Sequence, residues 1–237
     1  MPRLSPPDPD AGLVEAFLVL TMVVGRAEIG GYAPTPSAGP VYLYMDTTGK
    51  CWNYGSLSEV PVLPDILETA RLLLRLVTIV DVDAIFDSYA QDEEVARYLI
   101  WRPHRSRSET QAYVEHCIAT PSEVERTYML VGREDNVVRG AFAVRQRAPH
   151  RLDCGYVLAR RWWRQGLMTE VLTGVTVCAL RQPSVFRIGA VCDVENIGSA
   201  RVLEKSGFVR EGLLRRWLVH PNISDEPRDC YSHAHVR

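Results

Sequence analysis

Residues 152–180 constrain the fold of this 237-residue chain more than any other stretch. Residues 152–158 form an apolar run of strand character. They are followed by Arg160-Arg161-Trp162-Trp163-Arg164-Gln165, and then by Gly166. Beyond the glycine, apolar residues recur at 167, 168, 171, 172, 175, 178 and 179, the spacing of one face of a helix. A strand therefore ends, a short basic turn follows, and a helix over 167–180 begins at a glycine. The first N–H groups of a helix lack intrahelical acceptors, and its dipole is positive there, so the turn is a ready anion site. Gly166 keeps the backbone open to close approach, and Arg160, Arg161 and Arg164 add positive charge. The phosphate loop G-x-x-x-x-G-K-[ST] is absent, as is a dinucleotide fingerprint G-x-G-x-x-G after this strand.

Composition bounds the partners. With 46% hydrophobic and 24% charged residues, the chain is of ordinary soluble globular type. It can hold one domain of about 170 residues with an extension, or two small domains. A net charge of −2 gives no basic excess for nucleic acid. Cys51, Cys117, Cys154, Cys178, Cys192 and Cys230 contain no C-x-x-C pair, which fits reduced thiols in a cytoplasmic protein and no metal site. The apolar run 13–24 is shorter than the roughly 20 residues of a membrane span. It reads as a buried helix or strand, with a processed signal or a segment foreign to the fold as the other readings. Residues 1–10 read as a loose arm, 30–40 as a turn-rich linker and 41–54 as a hairpin. Residues 1–65 are thus expected to be a partly disordered extension of unknown role, and residues 66–237 the functional domain.

From residue 67 the pattern gives a strand at 72–76, helices over 81–89 (with Asp81 as N-cap), 92–99 and 108–118, and strands at 128–131, 137–145 and 152–158. After the 167–180 helix come a strand at 185–193, a helix at 199–205, and a final strand pair at 208–219 and 229–236. The expected class is α/β, a mixed sheet with helices packed on it.

Four stretches resemble the GNAT acetyltransferases, in particular the branch containing the ribosomal-protein N-terminal acetyltransferases. Trp163-Arg164-Gln165-Gly166-Leu167-Met168 lies in the frame of that family's [QR]-x-x-G-x-[GA] motif, keeping the glycine but with Trp first and Met last. Residues 67–75 resemble the branch's opening strand, and residues 196–208, from Asn196 to Phe208, its second motif. Arg228-Asp229-Cys230-Tyr231 resembles its last strand. The resemblance implies a mostly antiparallel twisted sheet, splayed at the cofactor site, with helices on both faces. It implies acetyl-CoA as donor and no metal. The expected cofactor-binding residues are Tyr156, Val157, Leu158, Arg161, Arg164, Gln165, Gly166, Leu167, Met168, Thr169, Asn196 and Ser199. Asn196 and Ser199 also suit helix capping.

For the proton steps, Asp153 is the candidate base. The family's usual acid position holds Leu203, which leaves Tyr231 as the runner-up catalytic group. Tyr98, Trp101 and Arg102, with His104 nearby, are the candidate acceptor-binding residues; a hydrophobic plug over the sheet is the other reading of that loop. The function implied is acetyl transfer to a primary amine, either a protein N-terminus or a small molecule. A catalytically silent acyl-CoA-binding sensor or scaffold is the alternative. Neither a nucleic acid nor a membrane is an expected partner, and a homodimer is left open.

Overall fold

The computed structural model describes residues 42–45, 51–54 and 63–237, and the chain falls into two units, Met1–Ser58 and Glu59–Arg237. In the first unit β1 (Tyr42–Met45) pairs antiparallel with β2 (Cys51–Tyr54), with Tyr42 opposite Tyr54, as the sequence pattern predicts. The expectations for 1–10, 13–24 and 30–40 lie outside the described residues.

The second unit is built on eight strands: β3 (Ile66–Glu68), β4 (Leu72–Leu76), β5 (Glu125–Gly132), β6 (Val138–Ala148), β7 (Arg151–Leu158), β8 (Arg187–Asp193), β9 (Val209–Val219) and β10 (Pro227–Val236). Their order in the sheet is β3-β4-β5-β6-β7-β8-β10-β9. Every pairing is antiparallel except β7 with β8. That pair is parallel because a helix carries the chain back between them. The helices are α1 (Val82–Ile85), continued by a π-helical turn Phe86–Ala90, then α2 (Glu93–Ala96), α3 (Arg107–Ala119), α4 (Leu167–Leu180) and α5 (Ile197–Lys205).

Side chains alternate across a strand, so each strand feeds two cores. Leu72, Leu74, Tyr128, Phe142, Leu152, Cys154, Ile188 and Cys192 pack against Leu167, Met168, Val171 and Leu172 of α4 and Leu203 of α5. On the opposite face Met129, Val131 and Ala141 pack against Ile85, Tyr89, Val95 and Val114 from the earlier helices. Leu72, Leu74 and Leu172 are fully buried, each worth about 1.5–3 kcal/mol of hydrophobic transfer. The sheet thus separates a face bearing α4 and α5 from a face bearing α1 to α3.

Three local expectations are corrected. Residues 67–75 are not one strand but the hairpin β3–β4, turned at Thr69, whose hydroxyl bonds Leu72. Asp81 stands at the N-cap position of α1 but makes no side-chain cap bond there: its carboxylate turns back to the Thr78 N–H at 2.8 Å and to the Arg75 guanidinium, closing a capping box on a 3-10 turn that starts earlier, at Ile79. α3 starts at Arg107 because Ser106, not Ser108, accepts the first-turn N–H of Glu109.

Candidate active site

β7 and β8 are in register at only three positions, Arg151 with Arg187, Leu152 with Ile188, and Asp153 with Gly189. Beyond them the strands diverge. The far edge of β7 stays bonded to β6 as far as Leu158, and the far edge of β8 stays bonded to β10 as far as Asp193. The facing backbone groups of residues 154–158 and 190–193 are therefore left without each other as partners. The sheet has a V-shaped gap that opens toward the carboxyl ends of both strands.

The start of α4 stands at this mouth. Gly166 has φ 74° and Arg164 has φ 62°, two left-handed residues that turn the chain from strand into helix. The first bond into the helix runs from Glu170 N–H to Gly166 O at 3.0 Å. The amides of Leu167, Met168 and Thr169 precede it and have no helical acceptors. Their backbone is fixed from below, since the side chains of Leu167 and Met168 are buried. The turn is also braced by Trp163 Nε1 donating to Leu158 O at 2.6 Å and Gln165 Nε2 to Arg161 O at 3.0 Å. Arg71 donates to Gln165 O at 2.9 Å and to Glu170 at 2.7 Å. Burial would raise the Glu170 carboxyl, but hydrogen bonds from Thr69 and Arg71 outweigh it and hold the group below its usual range. A Cβ on Gly166 would meet only Arg71 Nη2, at 3.7 Å, so the surface above the glycine is open. Arg161 lies over the ring of Trp162.

The segment that begins at α2 crosses the mouth on the other face of the sheet. At one end Arg160, just past β7, pairs with Asp92 at 3.0 Å. At the other, Tyr98 Oη donates to Glu195 O, just past β8, at 3.3 Å. The three candidate acceptor residues thus lie together on this bridge. Trp101 stacks obliquely on His104, with ring centroids 5.2 Å apart. Arg102 donates to Pro221 O at 2.9 Å and reaches Asp225 at 3.4 Å. His104 serves the loop itself: Nδ1 lies 2.8 Å from Thr110 Oγ1, and burial pushes its pKa down. An open acidic cavity of about 490 Å3, lined by Asp87, Asp92, Glu93, Glu94 and Arg160 among others, adjoins this bridge.

The remaining candidates divide by face. Tyr156 points to the α4–α5 side, where its hydroxyl lies 2.9 Å from Ser199 Oγ and its ring stacks on Phe142. That contact ties β7 to α5 across the gap. Burial pushes the Tyr156 phenol up. Leu158 packs on the same side, and Val157 on the other. Asn196 caps α5, its Oδ1 accepting from Ser199 N–H at 3.1 Å, which leaves both hydrogens of its amide nitrogen to donate to another ligand. Asp153 lies at the closed end of the V, on the face bearing α1 to α3, with Arg147 at 2.9 Å. Tyr231 is opposite Cys192 in β10, beneath the Arg210 guanidinium at 4.5 Å, and packs on the core. Leu203 is fully buried. Sequence reasoning missed the contacts of Arg71, which was read only as part of an opening strand, the Tyr156–Ser199 pairing, and Asn222, whose segment carries no motif.

Among the described residues no group of three or more His, Cys, Asp or Glu side chains is placed to hold a metal ion, and no helix is long and apolar enough to cross a membrane. The family model described as an acetyltransferase (GNAT) domain matches residues 71–209, more than half of the chain. The uncharacterized N-acetyltransferase YoaA of Bacillus subtilis (strain 168) is 32% identical over 157 residues, covering 65% of this chain and 88% of that protein. The [ribosomal protein uS5]-alanine N-acetyltransferase of Escherichia coli (strain K12) is 27% identical, covering 70% and 88%. Among solved structures, the ribosomal L7/L12 α-N-protein acetyltransferase RimL in complex with coenzyme A superposes with TM-score 0.62 at 21% identity, over 74% of this chain and 98% of that one. The splayed parallel pair, the glycine-started helix at its mouth and the match over residues 71–209 agree: this chain belongs to the GNAT family of acetyltransferases, an N-acetyltransferase that draws its acetyl group from acetyl-CoA.

Proposed function

We propose that the protein acetylates a primary amine, with the donor held on the α4 side of the split sheet and the acceptor reaching the gap from the side of residues 92–104. The observation that carries this reading is the V between β7 and β8, with the α4 amides on one face of its mouth and Tyr98, Trp101 and Arg102 on the other. Acetyl-CoA, when bound, supplies an activated acetyl thioester. The amides of Leu167, Met168 and Thr169, with Arg161 and Arg164, suit its pyrophosphate, because backbone donors at a helix start need no particular side chains. The unpaired edges of residues 154–158 and 190–193 suit the amides of the pantetheine arm, as an added strand would. A backbone N–H in the same gap would suit the thioester oxygen as a polarising donor. The Asn196 amide nitrogen and the Tyr156–Ser199 pair line the arm from α5.

Asp153 is the proposed base, taking a proton from the acceptor ammonium directly or through water. It points to the acceptor face, where Arg147 pairs with its carboxylate at 2.9 Å. Tyr231 stands further from an acid's role, its ring sandwiched by Arg210 and core residues. The buried Leu203 supplies no proton to the departing sulfur, but a thiol of pKa about 8.5 leaves readily as thiolate near neutral pH, so amine deprotonation is the demanding step. An α-amine, of pKa about 8, meets that demand more easily than a Lys side chain at about 10.4. The RimL and uS5 enzymes to which this chain is similar are named for protein α-amines, which supports the same preference.

Leu203 also favours one second reading, an acyl-CoA-binding module without turnover. Incubation of acetyl-CoA with a panel of peptides bearing free N-termini, Lys-only peptides and small amines separates the two. Acetylated product is expected for free N-termini first. Binding of CoA with no product from any amine would select the silent module.

A further inference from the structure

The loop that carries the candidate acceptor residues is held from outside by one side chain. Asn222 lies in the connection between β9 and β10, more than a hundred residues away in sequence. Its Nδ2 donates to Ala96 O at 2.7 Å and to Trp101 O at 2.8 Å. Both hydrogens of one amide are therefore used on the two ends of the same loop, the carboxyl end of α2 and the candidate acceptor residue Trp101. Only a side chain with two donors on one atom makes this pair of bonds, which is why an Asn stands there.

The other direct side-chain tie from the bridge comes from Arg102, which donates to Pro221 O at 2.9 Å and faces Asp225. Arg102 and Asp225 are 3.4 Å apart with side chains 52% and 93% exposed, an ion pair that solvent screens heavily. Asn222 is half-buried, where water competes less for the same carbonyls. The His220 ring is buried beneath the loop, next to the Tyr98 and Leu99 carbonyls. Further along, Arg228 pairs with Asp193 at 2.6 Å and with Glu195 at 3.0 Å, and Glu195 O accepts from Tyr98. The acceptor bridge, the β9–β10 connection and the carboxyl end of β8 are thus one hydrogen-bonded frame around the mouth, and Asn222 ties the carboxyl end of α2 and Trp101 to it through one amide.

We propose that Asn222 is a positioning residue for the amine acceptor: it clamps the loop of Tyr98, Trp101 and Arg102 to the β9–β10 connection, so that the two segments present one acceptor-binding wall. The inference rests on the amine-acetyltransferase reading for its kinetic part and on the clamp geometry for its structural part. Removing the clamp loosens the acceptor wall and leaves the α4 side untouched.

The test uses the full chain as wild type, Asn222→Ala and Asn222→Ser. Steady-state rates are measured with acetyl-CoA and a peptide with a free N-terminus, and tryptic cleavage after Arg97 and Arg105 is timed on the native proteins. For Asn222→Ala the peptide KM is expected to rise about 10-fold, roughly 1.4 kcal/mol, with the acetyl-CoA KM within twofold of wild type. Asn222→Ser retains one donor for two carbonyls and is expected to fall between wild type and alanine, which also serves if the alanine variant is too unstable to assay. Cleavage in the loop is expected to quicken several-fold in the same order. An unchanged peptide KM, or equal rises in the KM of both substrates, overturns the positioning role. If the wild type turns over no amine, the amine-acetyltransferase reading fails on its own, and the clamp is decided by proteolysis: equal cleavage rates in wild type and Asn222→Ala overturn it.

Discussion

Gly166 meets two demands at once. Its φ of 74° is costly for any residue with a Cβ, and the space above it opens on the amides of the α4 start. Gly166→Glu adds strain, bulk and negative charge where a pyrophosphate is to sit. Wild type is expected to show a rise in melting temperature with acetyl-CoA, as any ligand of the folded state produces, and the variant none; an equal rise in both would move the donor site elsewhere. Asp153 poses a separate question, since it faces the acceptor side at the closed end of the V. Asp153→Asn is expected to cut amine turnover by about 10²–10⁴-fold, the range for a lost general base, while the acetyl-CoA melting shift persists. Wild-type turnover in that variant between pH 6 and 9 would leave solvent as the proton acceptor. At this scale the sequence was legible where a residue type admits few uses, as at Gly166. It was not legible for Arg71, whose role depends on Glu170 and Gln165, which lie nearly a hundred positions away.

α4 was readable to the residue, 167–180, because its buried stripe and its starting glycine coincide. α5 was read two residues short, because Asn196 and Ser199 are both good caps and the structure joins them, Asn196 accepting from Ser199 N–H. Asn196→Ala removes that cap. It is expected to cost about 0.5–2 kcal/mol, a fall of roughly 2–6 °C in melting temperature for a domain of this size, and to weaken acetyl-CoA binding through the lost amide nitrogen. A lowered melting point with unchanged acetyl-CoA affinity would confine Asn196 to capping. The β3–β4 hairpin was hidden because its turn at Thr69 carries no glycine or proline; backbone and side-chain bonds between Thr69 and Leu72 close it.

For the whole molecule, the split sheet with helices on both faces followed from element order and the resemblance, while the bridge over the mouth did not, because it is assembled from 92–104 and 220–226 by contacts without local signals. The start of the domain is a proposal with a sharp test. Leu63 is 2% exposed in the core beneath α4, Pro64 O accepts from Tyr128 Oη at 2.8 Å, and Asp65 pairs with Arg126 at 2.6 Å. Deleting residues 1–58 is expected to leave the acetyl-CoA melting shift intact. Deleting 1–65 also removes Leu63, at a cost of about 2–5 kcal/mol, and should lower the melting temperature by roughly 5–15 °C; equal melting of the two truncations would show that Leu63 is dispensable.

Acid should destabilise the fold through two buried histidines. Burial pushes His220 and His233 down, against the opposing pull of Asp193 on the first and Glu204 on the second, with Arg228 and Arg210 adding to the depression. Both are neutral in the folded chain, whereas the unfolded chain binds protons below about pH 6.5, so stability is lost as pH falls through that value. Melting temperature is expected to decline between pH 7 and 5, and a flat profile would contradict the assignment.

The central claim is that the V between β7 and β8, capped by the start of α4, is where acetyl-CoA lies. Backbone amide exchange of the full chain, measured with and without acetyl-CoA, maps that directly. Protection is expected at residues 154–158, 166–169 and 190–199, the two free strand edges and the two helix starts. Protection confined to the acidic cavity near Asp87, Asp92, Glu93 and Glu94, with the strand edges unchanged, would contradict it.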